Sequence, residues 1–239
     1  MQGTRIVLLR HGESQAQAGG FVAGHEGCTG LSEVGREQVA ALRDRLAASG
    51  ELASTSALYS SVMPRAVETA EILAPALGAL DVRAECGFCE GHPGEADGLT
   101  WGELAERYGE ATGWDADHRP APGWETWREM GNRVHGALDA LVLRHPGETV
   151  VVACHGGVVV QSMLHWLGLD HTTSGDRAWM GPANTSITEW RFGPNPYQKD
   201  TLPVELVRFN DHAHLGARSA NRQQARPAPT DSVASGDGR

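Results

Sequence analysis

Thr4-Arg5-Ile6-Val7-Leu8-Leu9-Arg10-His11-Gly12-Glu13-Ser14 is the stretch from which the rest of the chain is best read. Ile6 to Leu9 is a continuous apolar run, the mark of a short strand buried on both faces of a parallel sheet. The run stops at a cation, an imidazole and a glycine. Open α/β sheets bind ligands at the carboxyl ends of their strands. Arg10 and His11 are therefore expected at a ligand site.

A second run, Thr149-Val150-Val151-Val152-Ala153-Cys154, is the strongest strand signal in the chain, and it ends in His155-Gly156-Gly157. If the two strands run parallel, both imidazoles stand over one crevice. The following helix, expected over 158–167, then points its N-terminus into it, which favours an anion. Between these runs the signals alternate. A glycine-rich loop spans 12–30. A helix starts at the N-cap Ser32 and closes at Gly50. A strand is expected at 57–60, an amphipathic helix at 63–77 with Arg65 off its apolar face, and a short strand at 81–84. Residues 85–123 read as a lid-like insertion with one helix near 100–108, followed by a long helix over 124–144. Two more strands are expected at 186–192 and 204–208. Residues 216–239 have no apolar periodicity and read as a disordered tail. Strands alternating with helices give an α/β three-layer sandwich with a mostly parallel central sheet, a single domain over 1–215.

The whole chain narrows the function classes. A net charge of −10 over 239 residues argues against a nucleic-acid partner, which would want a basic stripe. No stretch reaches the ~18 apolar residues of a membrane span. The N-terminus shows no signal-peptide pattern, and four cysteines do not demand a disulfide framework, so a cytoplasmic location is expected. The exposed face of 204–208 offers a surface for a homodimer.

Two histidines, two arginines and helix-end N–H groups make a phosphate site by charge alone. Moving a phosphoryl group also needs a nucleophile, for which a neutral imidazole serves, and an acid to protonate the leaving oxygen. Glu85, Glu90, Glu95 and Asp97 are the candidate acids, and spacing alone does not choose among them.

Three blocks in order, Arg10-His11-Gly12-Glu13-Ser14, Ser60-Ser61 through Arg65-Ala66 and Thr69-Ala70, and His155-Gly156-Gly157, resemble the histidine phosphatases, the phosphoglycerate-mutase-like superfamily. Gly98-Leu99-Thr100 and Asn184-Thr185-Ser186-Ile187 add weaker support, and the resemblance covers residues 4–192. It implies that His11 becomes phosphohistidine and that Arg10, Arg65 and His155 clamp the transferred oxygens. It selects Glu90 as proton donor and then base, from its distance to Gly94 and Gly98. Ser14, Gln17, the Gly24 backbone, Gly156 and Asn184 match substrate-binding positions, although Gln17 stands where the family usually has Asn. The cofactor-dependent mutases carry an Arg after the acid/base Glu; here it is Gly91, which favours hydrolysis of a small-molecule phosphomonoester over mutase chemistry. A non-catalytic phospho-ligand module is the third reading. No cofactor is expected. Cys86-x-x-Cys89-x-x-His92 has the spacing of half a zinc site, with His25 and Cys28 as completing ligands. It is read here as scattered thiols in a loop, with no metal assigned. Trp124, Trp127 and Trp166 are read as core, and Trp101 or Trp114 as a lid residue touching substrate.

Overall fold

Neighbouring residues of the first apolar run serve two different cores. The computed structural model describes residues 3–110, 115–172, 180–193 and 204–216, and in it Thr4–Arg10 is strand β1. Ile6 and Leu8 face a cluster built with Met130, Val134 and Leu138, whereas Val7 and Leu9 face one built with Val39, Leu42 and Leu73. Side chains of a strand alternate sides, so a run apolar at every position must be covered twice. The same division holds in β4 (Thr149–Cys154), where Val150 and Val152 join the first cluster and Val151 and Ala153 the second. Each fully buried aliphatic side chain contributes about 1.5–3 kcal/mol. These two strands thus anchor both cores.

The remaining elements, in chain order, are α1 (Gln15–Gly19), α2 (Glu33–Ser49), β2 (Thr55–Ser60), α3 (Pro64–Leu73), β3 (Val82–Ala84), α4 (Trp101–Tyr108), α5 (Trp127–Arg144), α6 (Gly156–Trp166), β5 (Ile187–Phe192) and β6 (Val204–Asp211). The six strands order as β3-β2-β4-β1-β5-β6. The first four are parallel, and β5 and β6 are antiparallel additions at one side. Helices α2 and α3 supply the core on one face, α5 and α6 on the other. The expected three-layer sandwich with a mostly parallel sheet is what forms. On the α5/α6 face Trp190 is fully buried, and its indole N–H donates to Ser162 Oγ at 3.1 Å.

Local boundaries differ from the sequence reading for identifiable reasons. The loop after β1 holds α1, closed by a capping box between Ser14 and Gln17. The helix expected over 63–77 ends at Leu73 and continues as a 3₁₀ turn, Ala74–Leu77, because Pro75 has no N–H to donate. Arg65 is not off the buried face: it is 5% exposed and turned inward. The long helix starts at Trp127 rather than 124, because Thr126 caps it in a capping box with Glu129. Helix α6 starts two residues earlier than expected, with His155 as its N-cap residue. The expected tail from 217 onward and Trp114 lie outside the described residues. Among the described residues no helix is long and apolar enough to cross a membrane.

The segment expected to form a lid is stitched to the loop after β1. Val22 N–H donates to the Leu99 carbonyl (2.8 Å) and Gly98 N–H returns a bond to the Val22 carbonyl (2.9 Å). Val22, Ala96, Leu104 and Ala121 form a satellite core between the two.

Candidate active site

β1 and β4 are adjacent and parallel, with Arg10 opposite Cys154. Each strand therefore delivers its histidine to the same edge. His11 N–H donates to the Cys154 carbonyl at 2.9 Å, and the His11 and His155 rings meet edge-on with centroids 5.0 Å apart.

His11 is 4% exposed and both ring nitrogens are engaged. Nδ1 lies 2.6 Å from the Gly12 carbonyl, which can only accept, so Nδ1 carries the proton. Arg65 Nε donates to Nε2 at 3.2 Å, so Nε2 carries the lone pair. Burial, then the Arg65 and Arg10 guanidiniums, hold the His11 pKa well below the usual histidine value. The result is a neutral imidazole with a fixed tautomer and a nucleophilic Nε2. His155 is fully buried, and among the described residues neither of its ring nitrogens has a hydrogen-bond partner. Burial, then Arg65, lower its pKa as well. Buried polar atoms without partners cost about 1–3 kcal/mol each.

Arg65 enters from the first turn of α3. It also donates to the Ala23 carbonyl at 2.9 Å, and one turn on, Thr69 Oγ1 accepts the Gly12 N–H at 3.2 Å. Helix α3 therefore positions both the cation and the backbone after His11. Arg10 donates to the Pro182 carbonyl at 2.5 Å, while its buried Nε has no hydrogen-bond partner among the described residues. Among the described residues neither Arg10 nor Arg65 forms an ion pair. Two desolvated guanidiniums without a carboxylate partner favour an anionic ligand.

Structure separates the four candidate acids. Glu85 is held by Arg144 at 2.8 Å, away from the pocket. Glu95 accepts the Tyr108 hydroxyl. Asp97 accepts the N–H groups of Gly24 (2.7 Å), Glu26 (2.9 Å) and Gly27 (3.0 Å), and so shapes the first loop. Only Glu90 of the four stands in the pocket wall. Its Oε2 accepts the Gly157 N–H of α6 at 3.1 Å.

That pocket has a volume of about 260 Å³, and Arg10, His11, Ser14, Gln17, Arg65 and Glu90 stand in its wall. Three expected substrate contacts stand behind the wall instead. The Gly24 N–H is committed to Asp97, so its backbone is not available to a phosphate. Asn184 is 2% exposed and donates to the His11 carbonyl (2.9 Å) and Gln17 Oε1 (3.1 Å); it braces the backbone of His11. Gly156 lies beside the Arg10 guanidinium, with space for a Cβ only 3.5 Å from Nε. Trp124 packs against the satellite core, as expected, and also stands in the pocket wall, as does Trp101, 57% exposed.

Sequence reasoning missed Arg133. It donates to the carbonyls of Cys86 (2.9 Å), Gly87 (3.3 Å), Cys89 (3.1 Å) and Glu90 (3.3 Å) while paired with Glu125 at 2.7 Å. It holds the loop that carries Glu90, and nothing in the pattern of α5 marks it out. The reading of scattered thiols is corrected too: ligand atoms of His25, Cys86, Cys89 and His92 all lie within 4.8 Å of one another. Cys28 is buried next to Cys89 but is not one of the four.

A neutral imidazole, two arginines that form no ion pair among the described residues, a second imidazole and a carboxyl group at the strand ends of an α/β sheet have the chemistry that phosphoryl transfer requires. The chain belongs to the histidine phosphatase superfamily (branch 1), whose pattern it matches over residues 6–202. It is 35% identical over 160 residues to a metal-independent phosphoserine phosphatase of Arabidopsis thaliana, covering 65% of this chain and 66%, just under two thirds, of that protein. It is 32% identical over 181 residues to a glucosyl-3-phosphoglycerate phosphatase of Mycolicibacterium vanbaalenii, covering 71% of this chain and 76% of that one. Among solved structures, a mycobacterial glucosyl-3-phosphoglycerate phosphatase complexed with VO3 aligns with a TM-score of 0.69 and 26% identity, over 86% of this chain and 98% of that one.

Proposed function

We propose that the chain is a phosphomonoesterase acting on a small phosphorylated metabolite through a phosphohistidine on His11. One observation carries the reading: the Nδ1–H to Gly12 and Arg65 Nε–H to Nε2 bonds hold His11 as a neutral nucleophile at the wall of a pocket containing Arg10, Arg65 and Glu90. In the first step Nε2 attacks phosphorus and the ester P–O bond breaks. Protonated Glu90 gives its proton to the leaving alkoxide. Arg10, Arg65 and His155 stabilise the charge on the equatorial oxygens. In the second step Glu90, now a carboxylate, takes a proton from water, whose oxygen attacks phosphorus and breaks the P–N bond, restoring His11.

A pocket of about 260 Å³ suits a phosphate with a modest organic group. The relatives named for phosphoserine and glucosyl-3-phosphoglycerate support that substrate class. Arg10 and Arg65 are the only cations in the described pocket wall. The second basic cluster that a bisphosphate cofactor requires is not among those residues, which weighs against the mutase reading.

Inorganic phosphate release from a panel of small phosphomonoesters tests the reading, with phosphoserine, phosphoglycerate esters and sugar phosphates included. The wild-type chain turns over at least one of them and forms an acid-labile phosphoenzyme. His11→Ala does neither. Undiminished turnover in His11→Ala refutes the mechanism, and phosphoglycerate interconversion without phosphate release would move the assignment to the mutase.

A further inference from the structure

Residues from two distant segments converge beside Glu90. His25 comes from the loop after α1, and Cys86, Cys89 and His92 bracket Glu90 in the following segment. Cys86 Sγ lies 3.5 Å from His25 Nε2 and 3.4 Å from His92 Nε2, and Cys89 Sγ lies 3.6 Å from His25 Nε2. A tetrahedral centre with metal–sulfur bonds of about 2.3 Å and metal–nitrogen bonds of about 2.0–2.1 Å spaces sulfur and nitrogen about 3.5 Å apart.

The surroundings match as well. His92 turns Nε2 to Cys86 and Nδ1 toward Glu125, whose carboxylate lies 3.8 Å away. A ligating histidine whose other nitrogen faces a carboxylate is the usual outer-shell arrangement around zinc. Ser61 Oγ donates to Cys89 Sγ at 3.2 Å, a bond that suits a thiolate. Arg133 adds a cation next to both cysteine backbones. Two thiolates and two imidazoles around a divalent ion make a neutral unit, and the two-sulfur, two-nitrogen tetrahedron selects zinc over harder cations. A Cys86–Cys89 disulfide is the competing reading, and it explains neither His25 nor His92.

We propose that His25, Cys86, Cys89 and His92 bind one zinc ion, which staples the loop carrying Glu90 to the first loop of the domain. Four protein ligands close the coordination sphere, so the ion has no position for water or substrate and takes no part in phosphoryl transfer. Its role is to fix Glu90, which sits between two of its ligands. The proposal stands on the ligand geometry and does not depend on the substrate.

The full chain, purified without metal-affinity resin and kept in a phosphine reductant, is assayed for metal by mass spectrometry, then stripped and titrated with Co²⁺ and Zn²⁺. The wild type carries about one zinc per chain. The stripped protein gives the visible d–d bands and near-ultraviolet thiolate charge-transfer band of tetrahedral cobalt, and Zn²⁺ displaces them. His25→Ala, at an exposed position, keeps its circular dichroism yet binds zinc at least about 100-fold more weakly, beyond the 10–100-fold cost of an outer-shell change. Cys86→Ser loses the charge-transfer band. Cys28→Ser keeps it. Folded, reduced wild type that gives no tetrahedral cobalt spectrum overturns the proposal, as does full zinc affinity in His25→Ala or a Cys86–Cys89 disulfide that resists the reductant.

Discussion

An alanine at position 157 puts one methyl group where Glu90 holds its carboxylate. A Cβ on Gly157 would lie 2.1 Å from Glu90 Oε1 and 2.8 Å from Met130 Cε. Ordinary carbon–oxygen contacts run about 3.3 Å or more, so the carboxylate must retreat by about 1 Å. Both obstructing atoms end flexible side chains, and position 157 is in the first turn of α6, where alanine is well tolerated. The fold therefore absorbs the change within about 1 kcal/mol. Catalysis does not. A displacement of about 1 Å at a reacting group costs up to 10²-fold, and a general acid contributes about 10²–10⁴-fold in all. Gly157→Ala is expected to slow the first chemical step on an alkyl phosphate by about 10–100-fold. An aryl phosphate, whose leaving group departs without a proton, should lose about tenfold less. KM stays close to wild type because Arg10, Arg65 and His11 are untouched. Burst-phase release of the alcohol isolates phosphorylation of His11, and differential scanning fluorimetry reports the fold. Equal losses on the two esters, or a wild-type burst on the alkyl ester, would show that Glu90 is not the proton donor.

Two further expectations follow from the same geometry. Arg133→Met removes four carbonyl contacts and the Glu125 pair, whose side chains are 21% and 13% exposed. It should cost about 1–3 kcal/mol, below the 3–5 of a fully buried pair, and lower kcat about tenfold with little change in KM. Urea unfolding and steady-state kinetics check this, and a rise in KM without a fall in kcat contradicts it. Acid should destabilise the fold: native His11 and His155 are held neutral well below the usual histidine value, while the unfolded chain takes up protons from about pH 6.5 downward. Stability is thus complete above that pH. It falls on acidification by up to ~1.4 kcal/mol per pH unit per histidine until the folded groups titrate. A melting temperature that is flat or rising from about pH 6.5 to pH 5 refutes the shifts.

What could be read from the sequence was what repeats locally. β1 and β4 announce themselves because every position of a doubly covered strand must be apolar, and their shared His-Gly endings put His11 and His155 at one edge before any coordinates. Caps were legible where one residue decides, as at Ser32 and Gly50. Helix α1 was not, because five residues give no apolar period and its stability lies in the Ser14–Gln17 box. Arg65 was misjudged by periodicity: a charged side chain in an α-helix looks solvent-facing until the histidine it serves is in place. The choice among the four candidate carboxyls was open because their differences are tertiary. Glu85 meets Arg144, Asp97 meets three backbone N–H groups, and only Glu90 reaches the pocket. Gly24 and Asn184 were read as ligand contacts but spend their donors inside the protein. The Cys86–His92 spacing was legible and His25 was named beside Cys28, but some sixty residues separate them, so nothing local showed that His25 and not Cys28 joins the group.

His11 and His155 hang from neighbouring strands, one step of a hydrogen-bonded ladder apart. Their spacing is consequently a property of backbone pairing, about 4.8 Å between strands, and owes nothing to the loops above. Pro93, Trp101 and Trp124, by contrast, belong to the segments that close over the pocket. Substitutions of their pocket-facing side chains change what the pocket presents to a ligand while leaving the spacing of the two histidines in place. On the proposed function, substrate preference can drift through pocket-facing residues of both the first loop and the segment after Glu90, such as Phe21, Pro93, Trp101 and Trp124, while the histidine pair keeps its spacing.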